Sequence, residues 1–137
     1  MMGQDPEMLQ MFLEEAQEHL SGLEPDLLEL ERTQSNPDSE LINRIFRAVH
    51  SLKGSAGFFG FEAITELSHV MENLLSLVRD GKLKANSDMI SSLLSGTDKL
   101  SNMIDDVENS EKVEYTQELE EVNGFITGNP VKKKAKK

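Results

Sequence analysis

From Pro6 to about residue 126, apolar residues recur every three or four positions, and no run alternates convincingly as a half-buried strand would. That spacing restricts the chain to amphipathic helices, each with one stripe to bury and one charged face to solvate. The first runs from about Pro6 to Arg32 on Met8, Phe12, Ala16, Leu20, Leu23, Leu27 and Leu30, with Pro25 expected to bend or break it. Asn36 is the candidate N-cap of the second, with Pro37 at its first helical position. Its stripe is Ile42, Ile45, Phe46, Val49, Leu52 and Ala56, and it ends at "GFFGF", where Gly57 and Gly60 permit a tight connection.

The third helix carries Ile64, Leu67, Met71, Leu74, Leu75 and Val78 and stops at "RDGK", with Gly81 as its C-terminal cap. "ANSD" caps a fourth built on Ile90, Leu93, Leu94, Thr97, Leu100, Ile104 and Val107. Ser110 is expected to cap a fifth holding Val113, Leu119, Val122 and Ile126. Short links make neighbours antiparallel, so the predicted fold is all-α: an up-and-down four-helix bundle with an additional C-terminal helix. Residues 1–5 are expected to be disordered, 6–127 to form the domain, and 128–137 to begin a lysine-rich linker.

The chain of 137 residues has no Trp and one Tyr, so its core must be aliphatic, Met and Phe. It has no Cys, which excludes disulfides and thiolate chemistry. With no secretory leader pattern and no apolar run of membrane-spanning length, the expected location is cytoplasmic, without membrane insertion. The net charge is −11, but five lysines lie in "KKKAKK"; elsewhere nine Lys and Arg face 25 Asp and Glu, a balance of −16. Such a surface is a poor partner for nucleic acid. The lysine tail reads as a solvated linker ahead of a nucleic-acid or membrane contact.

One ionisable group stands out. At about 100° per residue from Ile42, the apolar stripe of the second helix lies between roughly 280° and 40°, His50 at about 80° and Gly54 at about 120°. His50 thus sits on the shoulder of the buried stripe, with a residue lacking a side chain one turn along. Mid-helix glycine costs roughly 1 kcal/mol relative to alanine, and open access for another protein would explain it. Lys53 is near enough to reach an anion held on the imidazole. On the third helix Glu72 occupies the equivalent shoulder, with His69 one turn before it. In an antiparallel hairpin Glu72 can accept the His50 Nδ1 proton, which orients the ring and leaves Nε2 as the nucleophile. From spacing alone, the pair reads equally as a nucleophile with its orienting acid or as two tolerated surface residues. His19, among Glu14, Glu15 and Glu18, reads as plain surface, and the seven methionines as core filler.

The words "FRAVHSLKGSAGFFGF" and "LSHVMENLL" closely resemble the histidine-phosphotransfer (HPt) domain, specifically the N-terminal domain of CheA-type chemotaxis histidine kinases. "FLEEAQEHLSGLEPDLLELE" and "VRDGKL" are similar to that family too, so the resemblance covers roughly residues 6–127 and is strongest over 41–83. It implies that His50 accepts the γ-phosphoryl group of ATP from a kinase catalytic domain, usually of a partner subunit, and passes it to an aspartate of a response regulator. It further implies that Glu72 holds the ring, Lys53 and His69 support the reaction, and Gly54 keeps the approach clear. The partners implied are the ATP-binding domain of the same protein and receiver domains of the CheY and CheB kind.

The sequence has neither a G-x-x-x-x-G-K-[ST] loop nor a kinase Gly-rich loop. No cofactor site is therefore expected in the domain, nor a metal site, since His50 and His69 would leave one short of ligands; ATP and magnesium are expected to come from the kinase domain or the regulator. The isolated domain is expected to be a monomeric carrier, not an enzyme by itself. A different class, a helical interaction module in which His50 is surface decoration, makes no prediction of a phosphorylated intermediate.

Overall fold

The computed structural model describes residues 5–128. Five α-helices follow one another: α1 Pro6–Arg32, α2 Ser39–Phe59, α3 Glu62–Arg79, α4 Ser87–Asp105 and α5 Thr116–Thr127, with a 3-10 segment Val107–Lys112 between the last two. There is no strand among the described residues. The domain boundaries at 5/6 and 127/128 place the expected disordered start and lysine-rich linker almost wholly outside the described residues; only Asp5 and Gly128 belong to both.

Helices α1 to α4 form the bundle, α1 packing on α2 and α4, and α3 on α2 and α4; α5 covers the seam of α3 and α4. The expected stripes, apart from exposed Met8, converge on one core, in which Leu23, Ile45, Leu52, Leu67, Leu74 and Leu93 are fully buried. Burying each such side chain stabilises the fold by roughly 1.5–3 kcal/mol before chain entropy is counted. At Gly96 a Cβ would stand 2.8 Å from Met71 Sδ, so α4 approaches α3 more closely than a side chain would allow.

Several boundaries differ from the sequence expectation. The α1 helix runs unbroken through Pro25, which is exposed, because buried Leu20, Leu23, Leu27 and Leu30 hold both halves against the core. The cap of α2 is Asp38, not Asn36, and Pro37 lies before the helix rather than at its first position: the chain is still turning at Asn36, whose N–H donates to the Thr33 carbonyl, so it is the Asp38 carboxylate that accepts from Glu40 N–H, at 3.0 Å. Gly57 stays helical, and Gly60 alone turns left-handed, at φ 80°. Around it Phe61 N–H donates to Ala56 O and Gly60 N–H to Gly57 O, the paired bonds of a Schellman ending. Gly81, at φ 77°, ends α3 through the same pairing, with Lys82 N–H on Leu77 O and its own N–H on Val78 O.

Ser110 does not cap α5. It is buried within the 3-10 segment, and α5 starts only at Thr116, leaving Val113 in the connection. The segment serves α3 instead: Glu111 accepts from Ala63 N–H at 3.2 Å, supplying the cap that Phe61 cannot. Among the described residues no helix is long and apolar enough to cross a membrane.

Candidate functional site

The two-residue turn at Gly60 and Phe61 folds α3 back along α2, the most extensive helix pairing in the molecule. That hairpin brings together the shoulders carrying His50 and Glu72. The His50 side chain is 60% exposed and that of Glu72 only 10%, so the acid lies in the floor of the surface and the imidazole stands above it. Glu72 Oε2 is hydrogen-bonded to His50 Nδ1. Its other oxygen, Oε1, lies 2.6 Å from Lys53 Nζ. The carboxylate thus holds Lys53, whose side chain is 27% exposed, beside the ring.

Both carboxylate oxygens thus face a nitrogen. Burial works to raise the Glu72 pKa, but the bonds from Lys53 and His50, with the charges behind them, outweigh it and hold the carboxyl below its ordinary value. A carboxylate is acceptor-only, so Glu72 imposes a donor on Nδ1 and selects the tautomer whose lone pair is on Nε2.

Gly54 lies one turn beyond His50 on α2, and a Cβ built there meets nothing within 4 Å. Among the described residues no packing requires the glycine. It lines a cleft of about 720 Å³ between α1 and α2, with Met8, Met11 and Phe58 on its apolar walls and Glu14, Glu15 and Glu18 at its rim. Met11 is 67% and Phe58 68% exposed, and Met8 45%. The methionines are thus not all core filler: Met71, Met89 and Met103 are buried, whereas Met8 and Met11 are exposed and line this cleft. His19 is not plain surface either. Its side chain is 28% exposed, its Nε2 is buried without a hydrogen bond, and Glu15 Oε2 is 4.0 Å away.

His69 is exposed and makes no hydrogen bond or ion pair with His50, Lys53 or Glu72. It lines a separate groove between α3 and α5 with Glu66, Val70, Leu119 and Glu120. Its place one turn from Glu72 is as the spacing required, but the hairpin directs only Glu72 to His50.

Two neighbours of His50 were not legible as site residues. The Phe46 ring stacks on the imidazole, centroids 5.8 Å apart and planes 12° apart. The guanidinium of Arg79, in the last turn of α3, lies 4.2 Å from the Phe46 centroid. Phe46 precedes His50 by one turn, so its proximity was available from the helical repeat. Arg79 reaches it only through the hairpin.

The chain is similar to known proteins over most of its length. Residues 7–110 match the Hpt domain family. Over 103 residues the chain is 44% identical to the chemotaxis protein CheA of Salmonella typhimurium, covering 75% of this chain but 15% of that protein. It therefore spans a small part of the curated relatives it matches. The CheA phosphotransferase domain of Thermotoga maritima is 40% identical, with a TM-score of 0.69, covering 77% of this chain and 98% of that one. The phosphorylated P1 domain of CheA3 in complex with CheY6 from R. sphaeroides is 25% identical, with a TM-score of 0.76, covering 90% and 98% respectively. An exposed imidazole anchored by a carboxylate on the neighbouring helix, and a match across most of the bundle, lead to one conclusion: the chain belongs to the Hpt domain family and is homologous to the phosphotransfer domains of CheA.

Proposed function

We propose that this chain is the phosphocarrier of a CheA-like kinase, with His50 as phosphoacceptor. The observation that carries the reading is the exposed imidazole whose Nδ1 is engaged by a buried carboxylate, leaving Nε2 as the nitrogen available for attack. In the first step the Nε2 lone pair attacks the γ-phosphorus of ATP. The N–P bond forms as the bond to the β–γ bridging oxygen breaks, and ADP leaves. The Nδ1 proton stays on the ring, shared with Glu72, whose negative charge offsets the positive charge the imidazole gains. In the second step an aspartate carboxylate oxygen of a response regulator attacks the phosphorus, the N–P bond breaks, and its electron pair returns to Nε2.

Phosphoryl transfer depends mainly on positioning and charge compensation, so a small bundle that presents one oriented nucleophile is sufficient on its side of the reaction. Lys53 holds Glu72 in place in the free protein and is near enough to turn toward a phosphoryl group. Gly54 leaves the approach open, and the exposed Met8, Met11 and Phe58 beside it offer a regulator apolar ground to rest on. The complex of a related P1 domain with CheY6 supports a receiver domain as partner. The ATP-binding domain is inferred from the CheA relatives, and ATP and magnesium come with these partners. No direct role follows for His69 from its contacts; it stays a supporting residue on the family resemblance alone.

Incubation with a CheA kinase core and radiolabelled ATP tests the reading. The expected result is an acid-labile, alkali-stable label that is absent from His50→Gln and that a receiver domain removes. Equal labelling of His50→Gln rejects the assignment.

A further inference from the structure

Glu72 gives the His50 ring one anchor, and one anchor does not fix a plane. Rotation about the line from Nδ1 to the carboxylate would let Nε2 sweep through an arc, because the last torsion of a histidine has broad wells. In-line attack needs the reacting atoms aligned to within roughly 10–20°. A second constraint must bear on the face of the ring. Phe46 is so placed: it lies one turn back on α2, with its ring 5.8 Å from the imidazole and nearly parallel, at 12°.

Phe46 is itself constrained. It is partly buried against the core, and the Arg79 guanidinium lies 4.2 Å from its centroid. Arg79 reaches this place from the last turn of α3, where a cation also suits the helix dipole, and its side chain is 37% exposed with Asp80 Oδ1 3.4 Å away. The three residues make a column, Arg79 on Phe46 and Phe46 on His50, running alongside the pair of bonds that Glu72 makes from below. We infer that Phe46 and Arg79 are positioning residues for phosphoryl transfer: Phe46 sets the tilt of the His50 ring, and Arg79 holds Phe46 in that attitude. This rests on His50 being the phosphoacceptor; neither residue touches the reacting atoms.

Aromatic stacking of this kind is strong enough to change a rate about 2- to 12-fold if it is lost in the transition state. With a CheA kinase core supplied in trans, Phe46→Leu is expected to lower kcat by that factor with KM unchanged, and Phe46→Tyr to restore it. Arg79→Gln is expected to lower kcat about 2- to 3-fold, the smaller effect of a residue one step removed, and Arg79→Lys to recover part of it. The His50 ring-proton resonances, shifted upfield by the Phe46 ring, should move downfield in Phe46→Leu and partly so in Arg79→Gln.

A wild-type kcat in Phe46→Leu despite moved ring resonances overturns the inference, as does a rise in KM alone, which would make Phe46 a docking residue. Should Phe46→Leu lose its helical circular dichroism, Arg79→Gln decides: its kcat and ring resonances both at wild-type values refute the column. Failure of the wild-type chain to be labelled is the separate failure of the phosphoacceptor reading, and the ring resonances still report whether Phe46 sets the imidazole.

Discussion

Replacing Glu72 tests the core of the mechanism, because one carboxylate both selects the His50 tautomer and holds Lys53. A hydrogen bond to a charged group contributes about 1.5–3 kcal/mol and a neutral one about 0.5–1.5 kcal/mol. The ring gains positive charge as Nε2 attacks, so most of the charged bond's strength is realised in the transition state. At about 1.4 kcal/mol per factor of ten, Glu72→Ala should slow phosphorylation roughly 12- to 150-fold. Glu72→Gln keeps one acceptor, which can face Nδ1, and loses the charge and the acceptor for Lys53, so its loss should be nearer tenfold.

Stability should change less. Glu72 is nearly buried, but His50 and Lys53 can both rehydrate when it is removed, which limits the cost to about 1–2 kcal/mol. Single-turnover labelling by a kinase core, urea unfolding, and ¹⁵N spectra of the His50 ring measure the three effects. The spectra should show one tautomer in the wild type and a mixture in Glu72→Ala. A Glu72→Ala rate within twofold of wild type, with the bundle intact, would refute the orienting role.

Three further outcomes follow. Gly54→Val should leave helical content and melting nearly unchanged, since the added Cβ enters open space and valine is the better helix former by a few tenths of a kcal/mol, yet should block transfer between proteins; unimpaired transfer shows that the gap is not an approach path. Gly96→Val should cost about 1–3 kcal/mol in urea unfolding because buried Met71 must move, and a neutral result would show that α3 and α4 part easily. The Tyr115 phenol, which donates to Glu66 Oε1 at 2.5 Å, is pushed up to about 12 by burial first, then by that bond and the charges of Glu66, Glu111 and Glu62. A raised folded-state pKa contributes stability that is full below about 10 and lost as pH rises toward about 12, so alkaline melting should fall over that window in the wild type and less in Tyr115→Phe. Identical alkaline profiles would remove Tyr115 as the cause.

For Glu72 the sign is the opposite. Its lowered pKa contributes stability that is full above the ordinary glutamate value and lost as pH falls through the lowered one. The stability gap between wild type and Glu72→Gln should therefore close on the acid side, and a gap that persists in acid would mean that packing, not charge, separates them.

The helical class, the core stripes and the shoulder positions of His50 and Glu72 were legible in the sequence because each depends on the repeat within one helix. Ile45, Val49 and Leu52 could point only one way once a stripe had to be buried. Capping was less legible, since neighbouring residues compete for the same orphan amides: Asp38 prevailed over Asn36 because the chain turns at Asn36 and the helix starts only at Ser39, which puts the Asp38 carboxylate beside the Glu40 N–H. Ser110 failed as a cap for a different reason, its segment being committed to the start of α3 through Glu111.

What the sequence by itself determined was therefore periodic: which face of each helix is apolar, where glycine ends it, and which polar residues ride on the edge. Only the tertiary structure decided which edges meet. The hairpin of α2 and α3 placed Glu72 under His50, drew Lys53 onto the same carboxylate, left His69 in another groove, and set Arg79 over Phe46. Contacts between helices depend on the rotation and register with which two stripes pack, and a pattern internal to either helix carries no record of those quantities.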